Sequence, residues 1–393
     1  MRGRLACIAA VVFLFTAGAR AQSYDPEVQR SFVEGARLMR SGDYEAAARI
    51  FRTLLATTGS PRIKLELARA LFYQKRYEEA RALFKEVLLD PGVPWRVRDN
   101  VEAFIREMDN IEGYLKLSVS VVSDSNPRNI TRQREFTIGG VRLTFLPPQD
   151  NKRVTGLRYS AQAFKPLLPQ SGLSAYFTGS YLDYPNITLD RLTVDLGLAK
   201  DLGDSHRASV RAGLESGTFG GKPLYDFPYV AAAYQLSRSF SHRLTGEAKF
   251  GQVNFPDFGY LDATYVSATL AGMRSISPTV ALSAAATAER SEAHEKPYSY
   301  SGLTVAPGLT WLLTQPAFLV KTGVSFGGRD YAAEDPLFGI RRSDRRTALD
   351  IALTSKEWRL MNFSPVLILS LEKNRSNIDF YSYEKVNLSL AFE

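Results

Sequence analysis

Leu115-Lys116-Leu117-Ser118-Val119-Ser120-Val121 carries an apolar side chain at every second position. Period-two alternation puts apolar groups on one face of an extended strand and small or polar groups on the other. The same texture recurs to the end of the chain, in segments at about 114–124, 153–167, 173–184, 187–202, 207–219, 227–240, 243–255, 260–276, 279–293, 298–314, 316–330, 345–359, 364–376 and 382–392. Each is long enough for a tilted strand to cross a bilayer, which takes about 9–11 residues.

The connections between these segments differ in kind. Pro169-Gln170-Ser171-Gly172, Gly203-Asp204-Ser205, Ser241-His242, Ser277-Pro278, Gln315 and Asn362-Phe363 read as tight turns. Ser125–Lys152, Gly220–Asp226, His294–Pro297, Asp330–Asp344 and Asn377–Tyr381 read as longer loops. An even strand number with short turns at one end and long loops at the other is the pattern of an outer-membrane barrel, whose long loops face outward. A water-soluble β-sandwich also alternates. Against it stand the apparent export signal and 15 of the 19 tyrosines lying after Gly113, where they suit the interfacial girdles of a barrel.

Upstream the period is helical. Gly42-Asp43-Tyr44-Glu45-Ala46-Ala47 with Phe51 is repeated by Lys75-Arg76-Tyr77-Glu78-Glu79-Ala80 with Phe84. Tyr44 and Tyr77, Ala47 and Ala80, and Phe51 and Phe84 each lie 33 residues apart, with Gly35 and Ala68 as small residues on the preceding helices. The pattern resembles the tetratricopeptide repeat, in which small residues let two helices approach and aromatic residues fill the space between pairs. Tyr44, Tyr77 and Phe72 are assigned to packing rather than binding. Pro61 and Pro91 fall where a helix must stop, and Trp95–Met108 reads as a capping helix. Residues 22–113 hold 15 basic and 15 acidic side chains, a neutral surface that makes nucleic acid an unsuitable partner.

The start of the chain reads as an export signal. Arg2 and Arg4 precede an apolar run from Leu5 to Phe15, and Ala19-Arg20-Ala21 offers small residues for cleavage before Gln22. The run is too short to span a bilayer. Removing it takes the one cysteine, Cys7, and lowers the net charge from +8 to +5. A single cysteine rules out a disulfide or zinc-finger scaffold, and His206, His242 and His294 are scattered, so no metal or other cofactor is expected. The expected architecture is therefore α+β and multidomain: a signal peptide (1–21), a periplasmic TPR-like α-helical repeat module (22–113) and a 14-stranded antiparallel transmembrane β-barrel (114–393).

Lys385-Val386-Asn387-Leu388-Ser389-Leu390-Ala391-Phe392 alternates strictly and resembles the terminal strand that barrel assembly machinery reads by edge pairing. Lys385, Leu388, Leu390 and Phe392 carry that resemblance, while Asn387 stands where a glycine is usual and Glu393 follows the aromatic residue.

Helical repeats joined to a fourteen-stranded barrel, with Ser123-Asp124-Ser125-Asn126-Pro127-Arg128-Asn129 after the first strand, resemble the Slam family (surface lipoprotein assembly modifiers) of type XI secretion. Leu65–Phe72 and Pro94–Met108 also look like that family's module. The resemblance implies a non-enzymatic translocon in the outer membrane of a Gram-negative cell, moving a secreted or lipidated client protein from periplasm to surface. Its partners would be that client, outer-membrane lipids and, during biogenesis, the assembly machinery. Asp124, Asn126 and Pro127 become candidates for a functional first external loop, although Asp, Asn and Pro also simply form turns. The competing reading is a TPR-barrel porin for exopolysaccharide or small solutes. Gly139-Gly140 and Gly327-Gly328 read as bends rather than phosphate cradles, and Arg341–Arg346 as a charged cluster in a late loop that could meet lipopolysaccharide or cargo.

Overall fold

The computed structural model describes residues 25–90, 92–138, 140–146, 152–203, 205–239, 242–358 and 363–392. The signal-peptide reading lies outside these residues, as do Pro91, Gly139, Asp204, Ser241, Asn362 and Glu393. The chain divides into two compact units, the boundary in sequence falling between Val93 and Pro94.

The described residues of the first unit form four helices, α1 (Pro26–Ser41), α2 (Tyr44–Thr58), α3 (Pro61–Tyr73) and α4 (Tyr77–Leu89). Their ends follow from local chemistry. The Asp25 carboxylate accepts from Glu27 N at 2.9 Å and the Asp43 carboxylate accepts from Ala46 N at 3.0 Å, capping donors that a helix start leaves unpaired. Gly42 and Gly59 close α1 and α2 in the left-handed region, at φ 83° and 59°. Pro61 then opens α3 at its first turn, where a missing N–H costs nothing.

The residues of the repeat pattern face the interior of this unit. Ala47, Phe51, Ala68, Ala80 and Phe84 are fully buried. A Cβ at Gly35 would come within 2.8 Å of the Phe51 ring, so glycine there permits the close approach of α1 and α2. Tyr44 stacks on Tyr73 at 4.8 Å, and Tyr77 packs against Phe72 at 5.7 Å. These tyrosines are only half-buried.

The second unit begins with α5 (Trp95–Glu112), which runs into β1 (Tyr114–Asp124) through Gly113. Gly113 has φ 96°, and a Cβ there would lie 2.5 Å from the Phe164 carbonyl, so the helix-to-strand corner requires glycine. A short hairpin follows, β2 (Glu135–Ile138) and β3 (Val141–Thr144). Then come β4 (Val154–Leu168), β5 (Leu173–Tyr184), β6 (Leu189–Asp201), β7 (His206–Phe219), β8 (Lys222–Ser239) and β9 (His242–Val253). The remaining strands are β10 (Ala263–Ser277), β11 (Val280–Ala293), β12 (Tyr300–Thr314), β13 (Ala317–Glu334), β14 (Arg341–Ser355), β15 (Pro365–Ser376) and β16 (Tyr383–Phe392).

Apart from β2 and β3, the strands close a fourteen-stranded antiparallel barrel in which each pairs with its neighbours in sequence and β1 meets β16. The expected fold class is therefore what the chain adopts. Leu115, Leu117 and Val119 point outward with Leu196, Val210, Leu270 and Phe326, giving the wall an apolar exterior suited to lipid. Alternate positions point into a polar lumen.

Four details depart from the sequence expectation. The Gly220–Asp226 loop is a two-residue turn: Gly220 and Gly221 both take positive φ, 62° and 75°, so β7 and β8 continue almost without a break. Asp330–Asp344 is likewise mostly strand, and the Arg341–Arg346 cluster lies on β14 rather than in a loop. β14 ends at Ser355, short of the expected end at 359, and Trp358 N donates to Ser355 Oγ just beyond it. The tyrosines divide between two faces. Tyr159, Tyr181 and Tyr234 face outward. Tyr184, Tyr229, Tyr265 and Tyr383 point inward, where their hydroxyls donate to carboxylates.

Candidate functional site

Asp124, Asn126 and Pro127 sit where β1 leaves the barrel, and all three are buried. The segment folds back on itself first. Asn126 N donates to Asp124 Oδ1 at 2.8 Å, an Asx turn, and the Asn126 side chain bonds both Ile130 N and Ile130 O at 2.9 Å. Asn129 completes the bend at φ 53°, a conformation asparagine tolerates better than most residues.

The folded segment then grips β16. Asn126 Nδ2 donates to Glu384 O at 3.1 Å, Ser125 N donates to Val386 O at 3.0 Å, and Val386 N donates to Ser125 Oγ at 2.8 Å. Asp124 Oδ2 faces Lys385 Nζ at 3.0 Å, with the carboxylate almost fully buried and the ammonium nearly so. Tyr184 OH donates to the same carboxylate at 3.4 Å, and the Asn387 amide, oriented to donate, reaches its two oxygens at 3.0 and 3.2 Å. The asparagine standing in place of the usual glycine thus supplies a partner to Asp124. Of the terminal-strand residues, Lys385 faces the lumen and this carboxylate, whereas Leu388 and Leu390 face outward.

The rest of the first connection turns inward rather than standing free. Thr131 Oγ1 donates to Asp379 O at 3.0 Å, and the Arg128 guanidinium lies 4.6 Å over the Phe219 ring. Phe136 and Phe145 of the hairpin region pack edge-on against Phe380, and Phe338 joins them at 5.8 Å from Phe380. Beneath lies a cavity of about 420 Å³, with Arg128, Phe145, Glu289, Arg329, Arg342 and Tyr381 among its walls. Burial, and then the hydrogen bond from Tyr381 OH to Asp335 at 2.7 Å, hold the Tyr381 phenol above its ordinary range, so it stays a donor.

Below this cap the lumen carries paired charges. Arg211 makes two bonds to Glu247, at 2.7 and 2.8 Å, and a third ion pair to Asp195 at 3.2 Å. Arg329 Nε donates to Glu289 at 2.7 Å and its guanidinium lies 4.5 Å over Tyr300. Arg346 pairs with Glu372 at 2.6 Å, and Arg342 bonds Asp344 while stacked between Tyr331 and Tyr381. Bidentate arginine–carboxylate pairs are rigid and saturate each other's hydrogen bonds. These paired charges make the inner wall polar and locally rigid. Among the described residues, no three His, Cys, Asp or Glu side chains converge as a metal site.

Sequence reasoning did not find this lumen ladder. Its signal was available: Asp195, Arg211, Glu247 and Glu289 each stand at a polar position of an alternating strand, the face that turns inward in a barrel. The pairing of Asp124 with Lys385 across the whole barrel had no local signal.

A closed barrel with an apolar exterior and an ion-paired lumen, following tetratricopeptide helices, defines a protein of the outer-membrane channel or translocon class. Residues 32–94 match the tetratricopeptide repeat. Residues 230–393, from the middle of β8 to the end of β16, match the surface lipoprotein assembly modifier family. No curated protein matches it in sequence. Among solved structures, it is similar to a bacterial polysaccharide outer membrane secretin (13% identity, 70% of this chain and 98% of that one, TM-score 0.38). It is also similar to the outer membrane channel DcaP of Acinetobacter baumannii (10% identity, 72% and 97%, TM-score 0.39). Both likenesses concern the barrel fold alone.

Proposed function

We propose that this protein is an outer-membrane translocon that exports a periplasmic client, a surface lipoprotein or a soluble secreted protein, to the cell exterior. The observation that carries the reading is the surface lipoprotein assembly modifier match over residues 230–393, in one chain with tetratricopeptide helices. In this reading the short-turn end of the barrel and the helical unit face the periplasm, where the repeat surface engages the client. The aromatic cap and the folded first connection narrow the outer mouth, and the polar inner wall suits the passage of a polypeptide.

The test is coexpression with a client encoded beside the gene, followed by protease treatment of intact cells. Client cleaved only when this protein is present supports export. Equal cleavage with and without it refutes the reading, and large steady conductance in planar bilayers with no effect on the client would instead mark a solute porin.

A further inference from the structure

The join between first and last strands differs from every other join in the barrel. Five residue pairs connect β1 to β16, from Ser120 with Ala391 to Asp124 with Asn387. The neighbouring β1–β4 ladder has eleven, and β10–β11 has fourteen. Among the described residues, no strand pairs with the outer edge of Tyr114–Val119. A ladder this short has few backbone hydrogen bonds to lose before it parts.

Two devices hold the ends of this join. At the long-loop end is the side-chain clasp of Asp124, Ser125 and Asn126 on Lys385, Val386 and the Glu384 carbonyl. At the short-turn end is α5. Its first half is tied by Asp99 to Lys356, just past β14, at 2.9 Å. Its last turn is tied to β4, where Lys165 Nζ donates to Glu112 O at 3.1 Å, and Asp109 pairs with Lys116 of β1 at 3.4 Å. From Asp99 to Glu112 a helix extends about 20 Å at 1.5 Å per residue. In barrel order β14 and β4 are separated by β15, β16 and β1. Four strand spacings of about 4.8 Å span about 19 Å. The helix is therefore the right length to strap the rim directly beneath the join.

We propose that the β1–β16 join is a lateral gate, hinged at the Asp124–Asn126 clasp and restrained at the opposite rim by α5. Parting the five pairs opens the wall from the α5 end while the clasp keeps the barrel in one piece. A gate gives an exported chain a side exit as well as an axial one; that use rests on the export reading, but the gate's motion does not.

The experiment is amide hydrogen exchange on the full chain in detergent micelles. The amides that point across the join, those of Val121, Ser123, Leu388 and Leu390, should exchange at least roughly tenfold faster than those of the β10–β11 ladder, and Asn126→Ala should speed them by about tenfold more without touching β10–β11. Directly opposed residues on one face suit a disulfide, so Val122→Cys with Ser389→Cys in a Cys7→Ala background should bring the join to the protection of its neighbours. A wild-type join as protected as β10–β11 overturns the gate, and so does an oxidised join that still exchanges fast. Should Asn126→Ala fail to fold, the comparison of oxidised and reduced double-cysteine protein reads the same motion. In cells, loss of client display on oxidation with recovery on reduction supports the gate. Undiminished display by the oxidised barrel overturns it while leaving export standing, whereas fast exchange without any display removes the export reading and leaves the gate.

Discussion

Replacing Lys385 by methionine removes the ammonium that faces Asp124 at 3.0 Å and leaves a carboxylate whose side chain is only 4% exposed. Removing one partner of a buried ion pair costs about 3–5 kcal/mol, because the other charge is stranded away from water. Here the stranded carboxylate keeps Asn126 N at 2.8 Å and Tyr184 OH at 3.4 Å, so the loss belongs at the low end, about 3 kcal/mol. Asp124→Asn in the same background removes the stranded charge, and the double variant should recover most of the loss. The coupling from the double-mutant cycle should then be about 2 kcal/mol. The assay is urea unfolding of the barrel in lipid vesicles, followed by tryptophan fluorescence, with the midpoints converted at constant slope. Additive single effects, or a Lys385→Met loss below about 1 kcal/mol, would refute the view that this pair holds the join.

Other expectations follow from packing and face. Gly35→Ala forces the buried Phe51 ring to move and should lower helical-unit stability by about 1–3 kcal/mol in thermal melts, whereas Phe84→Ala should cost about 3–5 kcal/mol by leaving a cavity. Leu270→Arg places a charge on the outer face near the middle of β10 and should cost about 2–4 kcal/mol in vesicle unfolding, while Thr269→Arg on the lumen side should cost far less. Phe380→Ala removes the ring at the centre of the aromatic cap, and should make the β2–β3 hairpin the first site of limited proteolysis in the detergent-solubilised protein.

Strand number, order and most boundaries were legible because alternation is local: Leu115 to Val121 reads the same from either neighbour. The break between the second and third helices was legible for the same reason, since Pro61 acts within a turn of itself. What escaped was set by partners far away in sequence. Asp124 looks like a turn residue until Lys385 and Asn387 are beside it. Arg342 looks like one of a solvated cluster until Tyr331 and Tyr381 close on its two faces. The lumen tyrosines resembled girdle tyrosines because composition does not say which face a ring occupies. Pairing register does.

The join between β1 and β16 also has a consequence for how the molecule is made. Every other neighbour in the wall is delivered by the next hairpin, but Ser125 must wait for a residue 261 positions later, Val386. Contacts so distant are entropically late, since a long loop must be closed before they return anything. Until β16 arrives, the growing sheet carries two bare edges, the condition most prone to pairing with the wrong chain. The clasp is therefore also the final stitch of assembly, and a chain unable to tie it should accumulate as an unclosed sheet dependent on chaperones rather than as a leaky barrel.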